Sequence, residues 1–245
     1  MWPRLGWAVV TSTSTRATQY LARWEVGETT GAVVVVDVLR AFTTAAYAFA
    51  AGASRILVVD SVEHAVALKA QHPGSLLVGE DRGLRPVAFD LPNSPVEVFH
   101  ANVAGRTLIQ RTSAGTHGVV AARSATRLWC ASLACASATA RAVNEAGYGA
   151  PAYVITGRLE DRPDRPGDDD LLTAQAIERV RTGQDIEAER VAEELRASDE
   201  AALTLALGAG HVHPDDIEYA ACVDRFDFAM EVNRVDGQLE LRATP

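Results

Sequence analysis

Asp37 and Arg40 stand one helical turn apart directly after an unbroken run of valines, the first place in the chain where residue types and spacing could do chemistry. Residues 33–36 are β-branched with no polar alternation, which predicts a strand buried on both faces in the middle of a sheet. From Leu39 an alanine-rich apolar pattern continues to Gly52, a residue suited to the turn that ends a helix. Asp37 therefore falls where a buried strand hands over to a helix. In open α/β sheets that carboxyl edge is where ligands bind, so an acid and an arginine there form a candidate anion or metal site. The competing reading is a carboxylate that only caps the helix.

Further polar groups follow other expected strands. Glu80, Asp81 and Arg82 lie between Gly79 and Gly83, after a strand over 76–78. A long proline-bearing loop then carries Asp90, Asn93 and Ser94, too polar for core and too long for a simple connection. After a strand over 106–111 comes Thr112, Ser113, Ala114, Gly115, Thr116, a small hydroxyl-rich turn whose N–H groups and hydroxyls would cradle phosphate. If the strands are parallel, these ends meet on one rim. Carboxylates brought so close repel unless a cation lies between them, and Mg2+ suits a few carboxylate oxygens plus water and phosphate oxygens. The chemistry this favours is metal-assisted phosphoryl transfer. Asp37, Glu80 and Asp90 would hold the metal or position water; Arg40 and Arg82 would clamp the anion.

The elements that must position these groups read as βαβ units: strands at 33–36, 55–59, 76–78, 106–111, 127–130 and 152–156, with helices between them. A short apolar run at 6–10 reads as a first strand, and 17–24 as a helix or an aromatic strap. Residues 157–170, rich in charge and proline, read as a loop or a lid. Beyond them the pattern is helical over 171–181, 188–196, 200–207 and 215–222. Segments 226–235 and 238–241 flank Asp236-Gly237, the signature of a β-hairpin with a type I′ turn. The expected architecture is a three-layer α/β sandwich with a largely parallel or mixed central sheet, a helical C-terminal part and a terminal hairpin. It forms a single domain over 1–245, with 157–170 the one place where a subdivision would fall.

Composition narrows the partners. The chain has 245 residues, 48% of them hydrophobic, and 32 acids against 23 bases give a net charge of -9, the wrong sign for nucleic acid. No stretch is long and apolar enough to span a bilayer. Three cysteines, Cys130, Cys135 and Cys222, form no CxxC pair and read as reduced core thiols of a cytoplasmic protein. Neither a P-loop, nor GxGxxG after a strand, nor a GxSxG elbow occurs. Haloacid dehalogenase phosphatases need a second Asp two residues after the first, where this chain has Leu39.

Four stretches in order, DVLRAFTTAAYAFAAGA from Asp37, GEDRG from Gly79, FDLPNSP from Phe89 and RTSAGT from Arg111, resemble the 2-phosphosulfolactate phosphatase family. A fainter likeness continues through Asp169-Asp170-Leu171-Leu172 and from Asp216 to Asp224. The resemblance implies a layered α/β fold, Mg2+ and hydrolysis of a small anionic phosphoester, with a homodimer as one possible assembly. It carries over Asp37, Arg40, Glu80, Asp90, Asn93, Ser94, Gly115 and Thr116 as site residues, with Asp170, as an acid or base, and Asp224 behind them. Two positions depart from the family pattern: Asp81 stands where an arginine is usual, with Arg82 one place later, and Ala114 stands where an asparagine is usual. A metabolite-binding module without turnover is the alternative function.

Overall fold

The computed structural model describes residues 17–160 and 166–245; the expected strand at 6–10 and the middle of the 157–170 loop lie outside them. The valine run is β2 (Ala32–Val36), every residue of it buried. Val33 and Val35 enter one apolar cluster and Val34 and Val36 another, so the strand is sandwiched as its lack of alternation requires. Burying each valine stabilises the fold by roughly 1.5–3 kcal/mol.

β1 (Gln19–Ala22) is an edge strand whose Tyr20 stacks on Tyr153 with ring centroids 5.5 Å apart. After β2 come α1 (Ala41–Ala50), β3 (Arg55–Val58), α2 (Val62–Gln71), β4 (Leu76–Gly79), the two-residue β5 (Leu91–Pro92) and α3 (Pro95–His100). The chain continues through β6 (Thr107–Arg111), α4 (Gly115–Ala121), β7 (Arg127–Ala131), α5 (Ala136–Ala146), β8 (Ala152–Ile155) and α6 (Asp168–Arg181). Last are α7 (Ala188–Arg196), α8 (Asp199–Leu205), α9 (Asp216–Ala220) and the strands β9 (Ala229–Val235) and β10 (Gln238–Thr244). Helix α3 follows the expected proline-bearing loop, in a stretch with no element expected from the sequence. Its signal was local: Ser94 accepts the Glu97 N–H at 3.2 Å and Pro95 opens the helix, a cap followed by proline at N1.

Among the described residues ten strands form one sheet in the order β1-β8-β2-β7-β9-β10-β3-β6-β4-β5. The hairpin β9–β10 is not an appendage. It lies in the middle, antiparallel to β7 on one side and β3 on the other, between two parallel sets of four strands. The sheet is therefore mixed, and the two parallel sets run locally in opposite senses. Twist of about 20–25° per neighbouring pair accumulates to roughly 100° between β2 and β6, so their carboxyl ends are not driven to opposite sides. One cluster draws on β8, β2, β7, β9, β10, β3, β6 and β4 together with α1, α3 and α4, so the sheet curls around these inner helices. Outside, α5 and α6 cover one half and α2 the other, which completes three layers. A further cluster seats α6, α7 and α9 over Val38 at the end of β2.

Among the described residues no helix is long and apolar enough to cross a membrane. Cys130 and Cys135 are core thiols as expected, whereas Cys222 is exposed.

Candidate active site

The ends of β2, β4, β6 and β8 open into a cavity of about 330 Å³ whose lining includes Asp37, Arg40, Glu80, Arg82, Asn93, Ser113, Asp169 and Asp170. Asp37 fulfils both readings of its position. Its Oδ1 accepts the Ala41 N–H at 2.8 Å, capping α1, while its Oδ2 lies beside Gly115. A Cβ at Gly115 would come within 2.6 Å of that oxygen and 2.7 Å of Ala41 Cβ. Gly115→Ala is accordingly expected to displace Asp37 and lower kcat/KM at least tenfold, while a melting temperature within a few degrees of wild type shows that the fold persists. Unchanged kcat/KM would mean that the close approach has no role in activity.

Glu80 ties two loops together. It accepts the Ser113 N–H, the Ser113 hydroxyl at 3.0 Å and the Gly83 N–H at 2.6 Å, so its oxygens mainly position the turns after β4 and β6. The Arg82 N–H donates to Ser113 Oγ at 2.7 Å, leaving the Arg82 side chain on the cavity wall. Asp81 points away and pairs with Arg111 at 2.8 Å, so the arginine placed one residue later than in the family pattern still reaches the cavity. Buried Arg40 is held by Asp216, Nη1 to Oδ2 at 2.7 Å, and by the His211 carbonyl at 3.1 Å.

Several expected participants are engaged in other contacts. Asp90 does not join the other acids: Lys69 Nζ at 2.6 Å and the Leu77 N–H at 2.7 Å hold its carboxylate, and both hydrogen bonds keep it ionised below the usual carboxylate range despite partial burial. Ser94 donates to Asp216 Oδ1 at 2.6 Å while capping α3. Thr112 and Thr116 bond each other, with Thr112 N–H to Thr116 Oγ1 at 2.9 Å and Thr116 N–H to Thr112 Oγ1 at 3.1 Å, so their hydroxyls lock the turn instead of cradling phosphate. Asp170 is a strap: Oδ1 accepts the Val38 N–H and Oδ2 the Gly157 N–H and the Thr156 hydroxyl, which joins the ends of β2 and β8 to α6. Asp224 caps the start of α5 through Ser137, away from the cavity.

The residue that sequence reasoning missed is Asp169. The run Asp168-Asp169-Asp170 opens α6, and a helix start attracts acids for its dipole alone, so beyond the faint family likeness at Asp169-Asp170 the pattern carried no signal that singled out Asp169. In the fold Asp169 is buried at the cavity, and among the described residues neither its Oδ1 nor the buried Asn93 Oδ1 has a hydrogen-bond partner. Burial raises the Asp37 pKa to about 6, partly offset by the Ala41 N–H and reinforced by Glu80. Burial raises Asp169 to about 7, with Glu200 and Asp37 adding to it, and Asp170 is pushed up by burial and by both neighbouring aspartates. No set of three His, Cys, Asp or Glu side chains converges as a preformed metal cage among the described residues. Asp37, Asp169 and Asn93 nevertheless line one cavity with the oxygen donors that magnesium takes, and that ion needs only one or two carboxylates when water and phosphate fill its other positions.

An acid-and-arginine cavity at the strand ends of a curled α/β sheet suits an anionic ester, and similarity to known proteins supplies the class. The family model for 2-phosphosulpholactate phosphatase matches residues 20–234. A probable 2-phosphosulfolactate phosphatase of Bacillus subtilis is 31% identical over 207 residues, 84% of this chain and 88% of its own. Proteins with the same description from Thermus thermophilus (42% over 146 residues, 59% of each chain) and Thermoplasma acidophilum (28% over 206 residues, 84% of this chain and 87% of its own) are also similar. The chain belongs to the 2-phosphosulpholactate phosphatase family, and is a phosphoric monoester hydrolase.

Proposed function

We propose that the protein hydrolyses a small 2-phosphorylated acid, of which 2-phospho-3-sulfolactate, named for its relatives, is the reference substrate, and that it does so with magnesium. The observation that carries this reading is the pair of buried acceptors, Asp169 Oδ1 and Asn93 Oδ1, without partners among the described residues and lining, with Asp37, a cavity that also holds Arg40 and Arg82. Asp37, Asp169 and Asn93 would hold the ion, in place of the expected set Asp37, Glu80 and Asp90. Once bound it would neutralise phosphate oxygens and lower the pKa of a water.

The chain's own groups do the rest. Arg40, its orientation fixed by Asp216, offers the remainder of its guanidinium fork to the phosphate, and Arg82 faces a second anionic group. Glu80 holds the loops that present Arg82 and Ser113 at a fixed spacing. Closely held donors and acceptors of this kind favour the transition state because they need no reorganisation as charge develops.

Phosphate release from 2-phospho-3-sulfolactate and 2-phospholactate, with magnesium and then with chelator, tests the proposal. Release that stops on chelation is expected; equal rates would end the metal assignment, and tight binding without release would identify a binding module. Thermal melts supply a second readout. Because the folded pKa values of Asp37 and Asp169 are raised, their protonated forms stabilise the fold at low pH, and that contribution is lost as pH rises through about 6 and 7. A cation compensates the ionised acids. Magnesium at a hundredfold excess over its Kd should add about 2.7 kcal/mol, roughly 5–10 °C in Tm, at pH 8 and much less at pH 5. An equal shift at both pH values would place the ion elsewhere.

A further inference from the structure

β4 and β6 lie side by side, and both run out into turns that line the cavity, at 80–83 and 113–114. Beneath both turns sits Arg111, the last residue of β6 and only 8% exposed. Its main chain and its guanidinium grip the same residue. The Arg111 carbonyl accepts the Glu80 N–H at 3.0 Å, and Arg111 Nη1 donates to the Glu80 carbonyl at 2.7 Å. Nη1 also donates to Asp81 Oδ1 at 2.8 Å and, more weakly, to Ser113 Oγ at 3.3 Å, while Nε donates to the Asp60 carbonyl, just after β3, at 3.4 Å. Since β6 lies between β3 and β4, one guanidinium joins the ends of three adjacent strands. Its donors are spread over a plane wide enough to meet them all, whereas a compact ammonium is a single point.

The grip requires a close approach of two backbones. A Cβ on Gly79 would come within 1.9 Å of the Arg111 carbonyl oxygen, and the Gly79 φ of 137° is one that side chains rarely allow. What lies above depends on this base. The Glu80 carboxylate collects the Ser113 and Gly83 N–H groups, and Arg82 is held at a φ of 51° with its N–H on Ser113 Oγ. A non-glycine residue stays in that conformation only where its surroundings impose it.

We infer that Arg111 is a positioning residue: by clamping Glu80 to the end of β6 it sets the paired turns that hold Glu80, Arg82 and Ser113 on the cavity wall. Its effect on rate rests on the phosphatase reading; the clamp itself does not. Amide hydrogen exchange and kcat/KM for 2-phospho-3-sulfolactate with magnesium, measured in Arg111→Ala, test the two parts. Exchange should quicken over 79–84 and 112–116 and stay at the wild-type rate elsewhere. kcat/KM should fall about ten- to a hundredfold, the scale of an ångström of misplacement. The fold should persist because Asp81, the carboxylate that loses its partner, is half exposed to water. Arg111→Lys, which keeps the charge without the planar fork, should show the same changes to a smaller degree and carries the test if the alanine variant does not fold.

Two further measurements separate positioning from general support of the fold. Millimolar guanidinium should restore most of the activity of Arg111→Ala, where the lost side chain leaves room for it, and none in Arg111→Met, where the space is filled. Combined with Arg82→Ala, at an exposed position, Arg111→Ala should cost clearly less than the product of the two single losses, because both act through the same turns. Unchanged exchange in the two segments, exchange quickened throughout the chain, unchanged kcat/KM, no guanidinium rescue, or losses that multiply would each overturn the positioning role while leaving the phosphatase reading intact. Quickened exchange confined to the two segments, alongside a wild-type protein that releases no phosphate from any ester, would overturn the phosphatase reading and retain the clamp.

Discussion

Asp37→Asn is expected to lower phosphate release by a factor of roughly a hundred to ten thousand, the range associated with loss of a group acting on proton transfer or on a metal at the reaction centre. Asparagine keeps an oxygen that can accept the Ala41 N–H, so the cap on α1 survives and the comparison isolates the charge. The same substitution should not weaken the fold. Asp37 is buried with its pKa raised to about 6, which means that its ionised form costs stability above that pH and that a neutral amide removes the cost. Metal-free Asp37→Asn should therefore melt at or above the wild-type temperature at pH 8, and the magnesium-induced rise should shrink. Activity lost while stability is held or gained is the pattern of a residue retained for function. Wild-type turnover in this variant would return Asp37 to helix capping alone.

Asp216→Ala is expected to be the most destabilising single change at the site. Asp216 is fully buried and its carboxylate accepts from Arg40 Nη1 at 2.7 Å, Ser94 Oγ at 2.6 Å, the His213 N–H at 3.0 Å and, more weakly, the Val96 N–H at 3.4 Å. Removing it leaves a buried guanidinium without its counter-ion, which typically costs about 3–5 kcal/mol, a fall of roughly 10 °C in Tm for a chain of this size. Arg40 also loses its orientation, so kcat/KM should fall in the fraction that still folds. A double-mutant cycle with Arg40→Ala checks the cause: the pair should cost clearly less than the two single changes added together. Simple additivity would show that Asp216 stabilises the fold through Ser94 and the loop at His213 instead.

Much of the scaffold was legible because local physics dictates it. The valines of β2 and the Asp236-Gly237 turn each leave a period or a punctuation that neighbouring residues alone produce. Residues that line the cavity were legible where they directly follow such strands, as Asp37, Arg40, Glu80 and Arg82 do. Asp90 misled because it also lies in a loop beside a strand. Nothing local reveals that Lys69, on α2, captures its carboxylate. Asp169 was hidden for the opposite reason, since an acid at a helix start looks like dipole complementation until the fold buries it.

The sequence by itself determined the elements, the class of chemistry and the family likeness, because periodicity, turn residues and short motifs are properties of neighbours along the chain. Only the tertiary structure decided which acids meet. That depends on a hairpin from the last residues entering the centre of the sheet and on the twist and curl that turn separate strand ends toward one cavity, and such long-range packing has no local signature.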